Sequence, residues 1–191
     1  MTRETIAIID FGSQYGQLIA RRVREHNVYS VIYQPSVNAD ELKKLGVKGV
    51  ILSGGPASVY AENAPMCDAK IFELGVPVLG ICYGMQVGCK ILGAEVSPAK
   101  SREYGRRSID IINKEDIFAH LPDAATVWMS HGDQVNDIHS DLIPLAKTAT
   151  CPFAALKHKT KPFYGVQFHP EKSQALGLQL LSNFLNWDGQ A

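Results

Sequence analysis

Short apolar runs alternate with segments of helical periodicity through the first half of the chain, and this alternation is the strongest constraint on the fold. Thr5–Ile9 is a continuous run rich in β-branched residues, and Tyr15, Leu18, Ile19 and Val23 then recur with the spacing of one helix face. A short buried strand followed by an amphipathic helix is one strand–helix unit. Repetition of such units predicts a parallel sheet covered by helices on both faces.

The same periodicity analysis extends to the rest of the chain. It predicts strands at Tyr29–Tyr33, Gly49–Leu52 and Val76–Ile81, and helices from Asn38 to Gly46, from Cys67 to Leu74 and from Gly84 to Leu92. In the second half it predicts strands at Arg107–Ile112, Thr126–Met129, Leu145–Thr148, Phe153–Lys157 and Phe163–Phe168, and a last helix with the stripe Leu178, Leu181, Phe184 and Leu185. We therefore predict an α/β fold with a mixed, mostly parallel central sheet flanked by helices, as a single domain over residues 1–191.

Charge and cysteine content exclude several classes of function. Nineteen basic and nineteen acidic residues give zero formal net charge, so no overall charge attracts nucleic acid or an anionic membrane. No apolar run reaches the roughly 20 residues of a membrane span, and the first residues contain no signal-peptide core. The four cysteines are too scattered for a disulfide framework or a zinc site. The sequence predicts a cytoplasmic protein without a metal and without a nucleic-acid or membrane partner.

The pentapeptide at residues 80–84 places a cysteine between a predicted buried strand and a predicted helix. Its pattern, Gly-Ile-Cys-Tyr-Gly, has the form of a nucleophile elbow with cysteine in place of serine. Glycine two residues to either side removes side chains that would collide in so sharp a turn. The helix N-terminus favours the thiolate of Cys82 over the thiol. The alternative, a buried structural cysteine in a glycine-bearing turn, is disfavoured by a second motif.

That second motif, residues 165–171, ends another apolar strand with His169, Pro170 and Glu171. Residues two apart in an extended segment project to the same side, so Glu171 is expected to orient the imidazole of His169. The free ring nitrogen would then take the proton of Cys82 and later deliver one to a leaving group. Taken alone, the pair could also be a strand-end histidine and a solvated glutamate. The two motifs together predict a triad of Cys82, His169 and Glu171.

Two further turns are candidates for substrate contacts. Residues 53–58 follow the third predicted strand, and the N–H groups of Gly55 and Tyr83 are predicted to form an oxyanion hole. A phosphate-binding P-loop is disfavoured because no Gly-Lys-Ser/Thr follows. Residues Ser130 to Asp133 are predicted to form a polar turn after a strand, which would either receive the charged groups of an amino acid or be an ordinary surface turn.

Five motifs together resemble the class I, or triad, glutamine amidotransferases, and specifically the amidotransferase part of GMP synthetases. They lie at residues 10–15, 51–56, 80–86, 128–133 and 165–171, so the resemblance spans nearly the whole chain. It implies a flavodoxin-like fold, and a γ-glutamyl thioester on Cys82 with His169 as base and Glu171 as its orienting partner. By the same resemblance Gly55 and Tyr83 would form the oxyanion hole. The residues implied to hold the α-groups of glutamine are Gln86, Ser130, Gly132 and Asp133.

The resemblance also implies a partner. In that family the ammonia reaches an ATP-pyrophosphatase synthetase that converts XMP to GMP, and no Ser-Gly-Gly-x-Asp-Ser loop of that kind occurs in these residues. ATP and Mg²⁺ are therefore expected only on a synthetase subunit or domain, with no cofactor in this chain. Residues 172–177 depart from the GMP synthetase pattern and look more like the glutaminase of imidazole glycerol phosphate synthase. A glutaminase of that type or of the anthranilate type, or a low-turnover glutamine-binding regulatory module, remains an alternative.

Overall fold

The computed structural model describes residues 4–188, in which a nine-stranded sheet is flanked by helices. Residues 1–3 and 189–191 lie outside the described range. The prediction that the first residues contain no signal-peptide core therefore concerns residues that are mostly outside this range. Among residues 4–188, no helix combines the length and the apolarity that crossing a bilayer requires. The prediction of an α/β fold with a mixed sheet is confirmed.

One half of the sheet is parallel, as the strand–helix alternation predicts. Its strands are β1 (Thr5–Ile9), β2 (Tyr29–Tyr33), β3 (Gly49–Leu52), β4 (Val78–Ile81) and β9 (Phe163–Val166), in the order β2-β1-β3-β4-β9. All the pairings among these five strands are parallel. The central strands β3, β4 and β9 are buried at every residue, which is why they appear in the sequence as continuous apolar runs.

Helices cover both faces of the parallel half. They are α1 (Gly16–Glu25), α2 (Ala39–Lys44), α3 (Tyr83–Ile91) and α4 (Gln174–Leu185). Successive residues of a strand point to opposite faces: Ile8 packs in one core cluster with residues of α1 and α4, whereas Ile9 packs in the other with residues of α2 and α3. Each face of the sheet thereby has its own apolar core.

Two helix predictions are corrected by the structure. The segment predicted as a helix from Cys67 to Leu74 is only a short 3₁₀ helix, Ala69–Glu73, which begins after Asp68 because the side chain of Asp68 accepts a hydrogen bond from the amide of Lys70. In α4 the predicted stripe is partly wrong, since Leu178 is 37% exposed while Leu180 is fully buried. Part of α4 packs against the segment that follows β9, which changes the face that it buries.

The second half of the sheet is antiparallel and longer than the sequence predicts. Its strands are β8 (Ala155–His158), β7 (Leu142–Lys147), β5 (Glu95–Ile111) and β6 (Ala124–Asp137), in that order after β9. The sequence predicts only the stretches 107–112 and 126–129 of the β5–β6 ribbon. Most residues of β5 are exposed, so this strand shows no apolar alternation by which it can be recognised.

The length of β6 corrects one site prediction. Residues Ser130 to Asp133 are not a polar turn after a strand but lie within β6, paired to β5. The strand that pairs with these residues is β5, and the sequence pattern does not indicate this part of β5 as a strand. The backbone of this motif is therefore held by ladder hydrogen bonds, and the wall that it forms is more rigid than a surface turn would be.

The register between β4 and β9 brings the two chemical motifs together. Ile81 pairs with Val166, and the amide of Cys82 donates to the carbonyl of Val166 at 2.8 Å. Parallel neighbours end at the same edge of a sheet, so the residues that follow β4 and β9 meet at the carboxyl edge, where open α/β sheets bind their ligands.

Candidate active site

Cys82 lies on a strained turn between β4 and α3. Its backbone has φ 52° and ψ −107°, a conformation that costs a residue with a side chain on the order of 1–3 kcal/mol. The turn is possible because its flanking glycines allow close backbone approach. A Cβ on Gly80 would lie 2.7 Å from the amide nitrogen of Met85, and one on Gly84 would lie 2.7 Å from Cβ of Leu52. The sequence therefore forms the predicted elbow.

His169 and Glu171 form a buried pair at the end of β9. Nδ1 of His169 lies 2.7 Å from Oε1 of Glu171, and both residues are less than 5% exposed. The expectation of an extended segment is wrong for Glu171, which lies in a 3₁₀ turn, Pro170–Lys172. Proline begins this turn well because its φ is preset for a helical residue and its missing N–H is not needed there. The turn still carries the carboxylate back to the ring.

The imidazole of His169 connects this pair to the cysteine. Nδ1 is occupied by Glu171, which leaves Nε2 for Cys82, and the two side chains are neighbours: a Cβ on Gly54 would lie 3.2 Å from Cε1 of His169 and 3.8 Å from Cβ of Cys82. Burial of the ring disfavours its protonation, but its interactions with Cys82 and Glu171 prevail, and they raise the pKa of His169 to about 10. At neutral pH the ring therefore holds its proton beside the sulfur.

A group of aromatic and basic side chains fixes the outer side of His169. The ring of Tyr15 meets the imidazole edge-on at 5.7 Å between centroids, and the Tyr15 hydroxyl accepts a hydrogen bond from Lys172 Nζ at 2.9 Å. Lys172 Nζ also lies 4.0 Å from the centre of the Trp128 ring. The amide of His169 donates to the carbonyl of Trp128, and Ser173 Oγ donates to the carbonyl of His169. The imidazole has little freedom to turn away from the thiol.

Cys82 differs from the other three cysteines in its surroundings. Its Sγ lies 3.6 Å from the carbonyl oxygen of Ser130 and 3.6 Å from Nε2 of Gln167, and it lines an open pocket. Burial raises the pKa of Cys67 and of Cys151 to about 12, and it raises the pKa of Cys89 still further. Those three groups stay as unreactive thiols at neutral pH.

Gly55 and Tyr83 lie where the predicted oxyanion hole requires. Tyr83 is the first residue of α3, and the first N–H groups of a helix have no partner within the helix. Gly55 follows β3, and a Cβ there would meet the carbonyl oxygen of Phe11 at 2.5 Å, so only glycine fits so close to that backbone. Both residues line the pocket into which Cys82 opens. Their role as oxyanion donors stays a prediction.

The pocket itself has a volume of about 640 Å³, within the usual range for small-ligand sites. The structure brings together at its surface all but one of the residues that the sequence predicts for the site: Gly55, Cys82, Tyr83, Gln86, Ser130, Gly132, Asp133 and His169. Glu171 lies outside it, behind His169, where a catalytic orienting group is expected.

The pocket wall formed by β6 carries an oriented carboxylate. The two oxygens of Asp133 accept hydrogen bonds from Ser58 at 2.6 Å and from Tyr60 at 2.8 Å. Nε2 of Gln86 donates to the backbone carbonyl of Asp133 at 3.0 Å and lies 3.3 Å from Oε1 of Gln167. Gln86 therefore supports this wall as well as lining the pocket. An aspartate held in this way offers a fixed negative charge to a ligand ammonium.

Several of these contact residues were missed by the sequence reasoning. Ser58 and Tyr60 lie in an irregular segment after β3, and no periodicity indicates that they reach Asp133. Gln167 lies inside the motif at residues 165–171, directly after the apolar run of β9. That position is a signal from which its contact with Cys82 could have been predicted. Glu103 was missed because its strand was not predicted.

Glu103 and His131 form a second buried acid–base pair, in which His131 lines the pocket and Glu103 lies behind it. His131 Nε2 lies 3.0 Å from one oxygen of Glu103, and the other oxygen accepts hydrogen bonds from Thr148 and Thr150. His131 Nδ1 lies 3.0 Å from the carbonyl oxygen of Asp133. With Cys151, this pair brings three possible metal-ligating atoms within 4.8 Å of one another. Hydrogen bonds already engage both carboxylate oxygens and both ring nitrogens, so we interpret the cluster as structural support.

Comparison with protein families identifies one match that covers most of the chain. The family model for class-I glutamine amidotransferases matches residues 7–187. Among curated proteins, a glutamine-hydrolysing GMP synthase of Caldanaerobacter subterraneus subsp. tengcongensis is 52% identical over 184 residues, which are 96% of this chain and 36% of that protein. The corresponding GMP synthase of Bacillus subtilis is 50% identical over 186 residues, or 97% of this chain and 36% of that protein. The chain thus spans about a third of the length of these relatives.

Solved structures give the same result for the fold. A crystal structure of a protein described as a putative GMP synthase subunit, from Thermoplasma acidophilum, superposes with a TM-score of 0.88 at 32% identity, and the match covers 97% of this chain and 94% of that one. A glutamine amidotransferase from Thermotoga maritima superposes with a TM-score of 0.70 at 21% identity over 97% of this chain and 84% of its own, a likeness that concerns the fold alone.

Proposed function

Because the chain belongs to the class-I glutamine amidotransferase family, we propose that it hydrolyses the side-chain amide of glutamine and supplies the ammonia to a synthetase that converts XMP to GMP. The observation that carries the proposal is the strained backbone of Cys82, whose thiol lies beside an imidazole that is itself paired to a buried glutamate. This group opens into a pocket of suitable size for an amino acid. The GMP branch is supported by the named relatives.

The first half of the reaction would form a thioester. The Cys82 sulfur, whose proton His169 has taken, attacks the amide carbon of glutamine as a thiolate, a C–S bond forms, and the carbonyl π electrons move to the oxygen. The N–H groups of Gly55 and Tyr83 stabilise this oxyanion. His169, which carries a proton at neutral pH, transfers it to the amide nitrogen. The C–N bond then breaks, ammonia leaves, and the γ-glutamyl thioester remains on Cys82.

The second half would restore the cysteine. His169 is now neutral, and Nε2 takes a proton from a water molecule that attacks the thioester carbon. A second tetrahedral oxyanion forms at the same two N–H groups. Its collapse breaks the C–S bond, the sulfur is returned to its pair with the protonated imidazole, and glutamate leaves. Glu171 keeps Nδ1 protonated throughout, so that Nε2 performs both proton transfers.

Two features support a partner beyond the chain itself. The matched GMP synthases continue for nearly two thirds of their length outside the matched segment, and the Ser-Gly-Gly-x-Asp-Ser loop of ATP-pyrophosphatases does not occur in this sequence. We place ATP and Mg²⁺ on a synthetase domain or subunit, and the reaction in the cytoplasm. The four free cysteines are in keeping with a reducing compartment.

The hydrolytic step is tested by replacing the nucleophile. We expect Cys82→Ala to lower glutamine-dependent ammonia release by more than about 1,000-fold, because no other group can form the thioester. The circular dichroism spectrum and the cooperative melting should be retained. Cys67→Ala is the matched control, since Cys67 is the other cysteine with some exposure, and it should keep full activity. Wild-type ammonia release from Cys82→Ala would refute the proposed hydrolysis.

The identity of the acceptor requires a separate measurement. The chain is mixed with a GMP-type ATP-pyrophosphatase, ATP, Mg²⁺ and XMP, and glutamine-dependent GMP formation is measured. In parallel the chain is mixed with the synthase subunits of the imidazole glycerol phosphate and anthranilate types, each with its own acceptor. We expect glutamine-dependent product only in the first mixture. Transfer to one of the other acceptors alone would refute the GMP assignment while leaving glutamine hydrolysis in place.

A further inference from the structure

Three basic side chains line the pocket of Cys82, and they differ in their pairing. His169 is paired with Glu171 and His131 with Glu103, both through buried hydrogen bonds. Arg102 also lines the pocket, and no carboxylate among residues 4–188 forms an ion pair or hydrogen bond with its guanidinium. Glutamine is a zwitterion, so its α-carboxylate needs a cationic partner in the site. We propose that Arg102 binds the α-carboxylate of the substrate, an inference that rests on the proposed glutamine hydrolysis.

The position of Arg102 results from an irregularity between β5 and β6. Pro98 pairs with Asp133 and Glu103 pairs with His131, so the residues 99–102 of β5 lie opposite the single residue Gly132. Extra residues in one strand bend it and redirect its side chains, and such bulges commonly lie beside active sites. Here the bulge carries the side chain of Arg102 across the neighbouring strand.

The side chain of Arg102 reaches the backbone of Gly132. A Cβ at this position would lie 3.5 Å from Nε and 3.7 Å from Cδ of Arg102, with the hydroxyl of Tyr104 at 3.8 Å. The guanidinium end of Arg102 therefore extends over the bare backbone of Gly132. The family resemblance implies a substrate contact at Gly132, and Arg102 lies beside that residue.

The residue next to Arg102 fixes the bulge in place. Glu103 is buried, and it accepts hydrogen bonds from His131, Thr148 and Thr150 at 2.7 to 3.0 Å. His131 is in turn bound to the carbonyl of Asp133. Such a connected buried network holds the backbone of β5 in one register. Arg102 is thus attached to a rigid support although its own side chain is exposed.

The distances suit a bound glutamine. The carbonyl of Ser130 lies 3.6 Å from Sγ of Cys82, and a strand rises about 3.4 Å per residue, so Gly132 lies about 7 Å farther along β6. That span is comparable to an extended glutamine whose amide carbon is at the sulfur. Asp133 lies beside Gly132 with both of its oxygens oriented by hydrogen bonds. The far end of the pocket therefore offers a positive and a negative charge, which match the α-carboxylate and the α-ammonium.

The test compares two electrophiles that both alkylate Cys82. The glutamine analogue 6-diazo-5-oxo-L-norleucine carries both α-groups, whereas iodoacetamide carries neither. We expect Arg102→Gln to slow labelling by the analogue about 10- to 100-fold, the usual effect of losing a charged hydrogen bond, and to leave labelling by iodoacetamide unchanged. Arg102→Lys should recover part of the loss because it keeps the charge but not the planar fork. Arg107→Gln, an exposed arginine of the same strand outside the pocket, is the matched control and should alter neither rate.

The outcomes separate binding from structural support and from the proposed reaction. If Arg102→Gln slows labelling by both electrophiles equally, the arginine supports the fold of the site. If labelling by the glutamine analogue keeps its wild-type rate, the arginine does not contact the substrate. Either result overturns the assignment. Ammonia release is measured on the same samples. A protein that shows the expected Arg102 dependence of labelling but releases no ammonia would refute the hydrolysis and still support the carboxylate site.

Discussion

Replacement of Glu171 by glutamine isolates the contribution of its charge to the triad. The amide oxygen of glutamine can still accept the Nδ1 proton of His169 at the 2.7 Å distance of the native contact, so the ring keeps its tautomer. What is lost is the negative charge beside the imidazolium. Oε2 of Glu171 has no hydrogen-bond partner among the described residues, so the new amide nitrogen replaces an atom that was unpaired already. The variant therefore changes charge with little change in shape.

The magnitude follows from the buried contact. A hydrogen bond to a charged group contributes about 1.5–3 kcal/mol, and 1.36 kcal/mol corresponds to one pKa unit, so loss of the charge should lower the pKa of His169 by about one to two units. The native pKa of about 10 is raised partly by this carboxylate. The protonated ring is the acid that releases ammonia, so activity is present below this pKa and is lost as the pH rises through it. The alkaline limb of the rate profile should therefore move to lower pH.

The assay is ammonia release from glutamine across pH 6 to 11, with the synthetase present and the melting temperature recorded at each pH. We expect a wild-type alkaline limb near pH 10 and a limb about one to two units lower in Glu171→Gln. Glu73→Gln, which removes an exposed carboxylate, is the control and should not move the limb. The reasoning is refuted if Glu171→Gln keeps the wild-type limb and differs from wild type only by a pH-independent factor.

Two further predictions concern stability. Gly84→Ala places a methyl group against the carbonyl oxygen of Leu52 and 2.7 Å from its Cβ. Thermal melting should therefore show that the free energy of unfolding falls by about 1–3 kcal/mol or more. An unchanged melting temperature would contradict the close approach at the elbow. Hydrogen bonds from Thr148, Thr150 and His131 outweigh the burial of Glu103 and lower the pKa of its carboxyl below 4.5. Its stabilisation is therefore present above pH 4.5 and is lost as the pH falls through the lowered value. Urea unfolding should show Glu103→Gln less stable than wild type by about 1.5–3 kcal/mol at pH 7. This difference in the free energy of unfolding should become smaller in acid. A difference that does not depend on pH would contradict an ionised Glu103.

The parallel half of the fold could be predicted because its signals are local. Buried strands such as Gly49–Leu52 are continuous apolar runs, and the Gly-x-Cys-x-Gly pattern between a strand and a helix is the local signature of an elbow. The β5–β6 ribbon gave no such signal because most of β5 contacts solvent, and an exposed strand needs no apolar alternation. For the same reason Ser130 to Asp133 was predicted as a turn when it is paired backbone.

The sequence by itself determined the alternation of strands and helices, the elbow at Cys82 and the family to which the chain belongs, because each strand, helix and motif is a short stretch that can be recognised without knowing which stretches meet in the fold. The tertiary structure decided which distant residues meet. The pairing of β4 with β9 brings His169 to Cys82, and the bulge opposite Gly132 brings Arg102 to the pocket. These contacts depend on pairing between segments that are far apart in the sequence, and the pattern within one segment does not specify its partner.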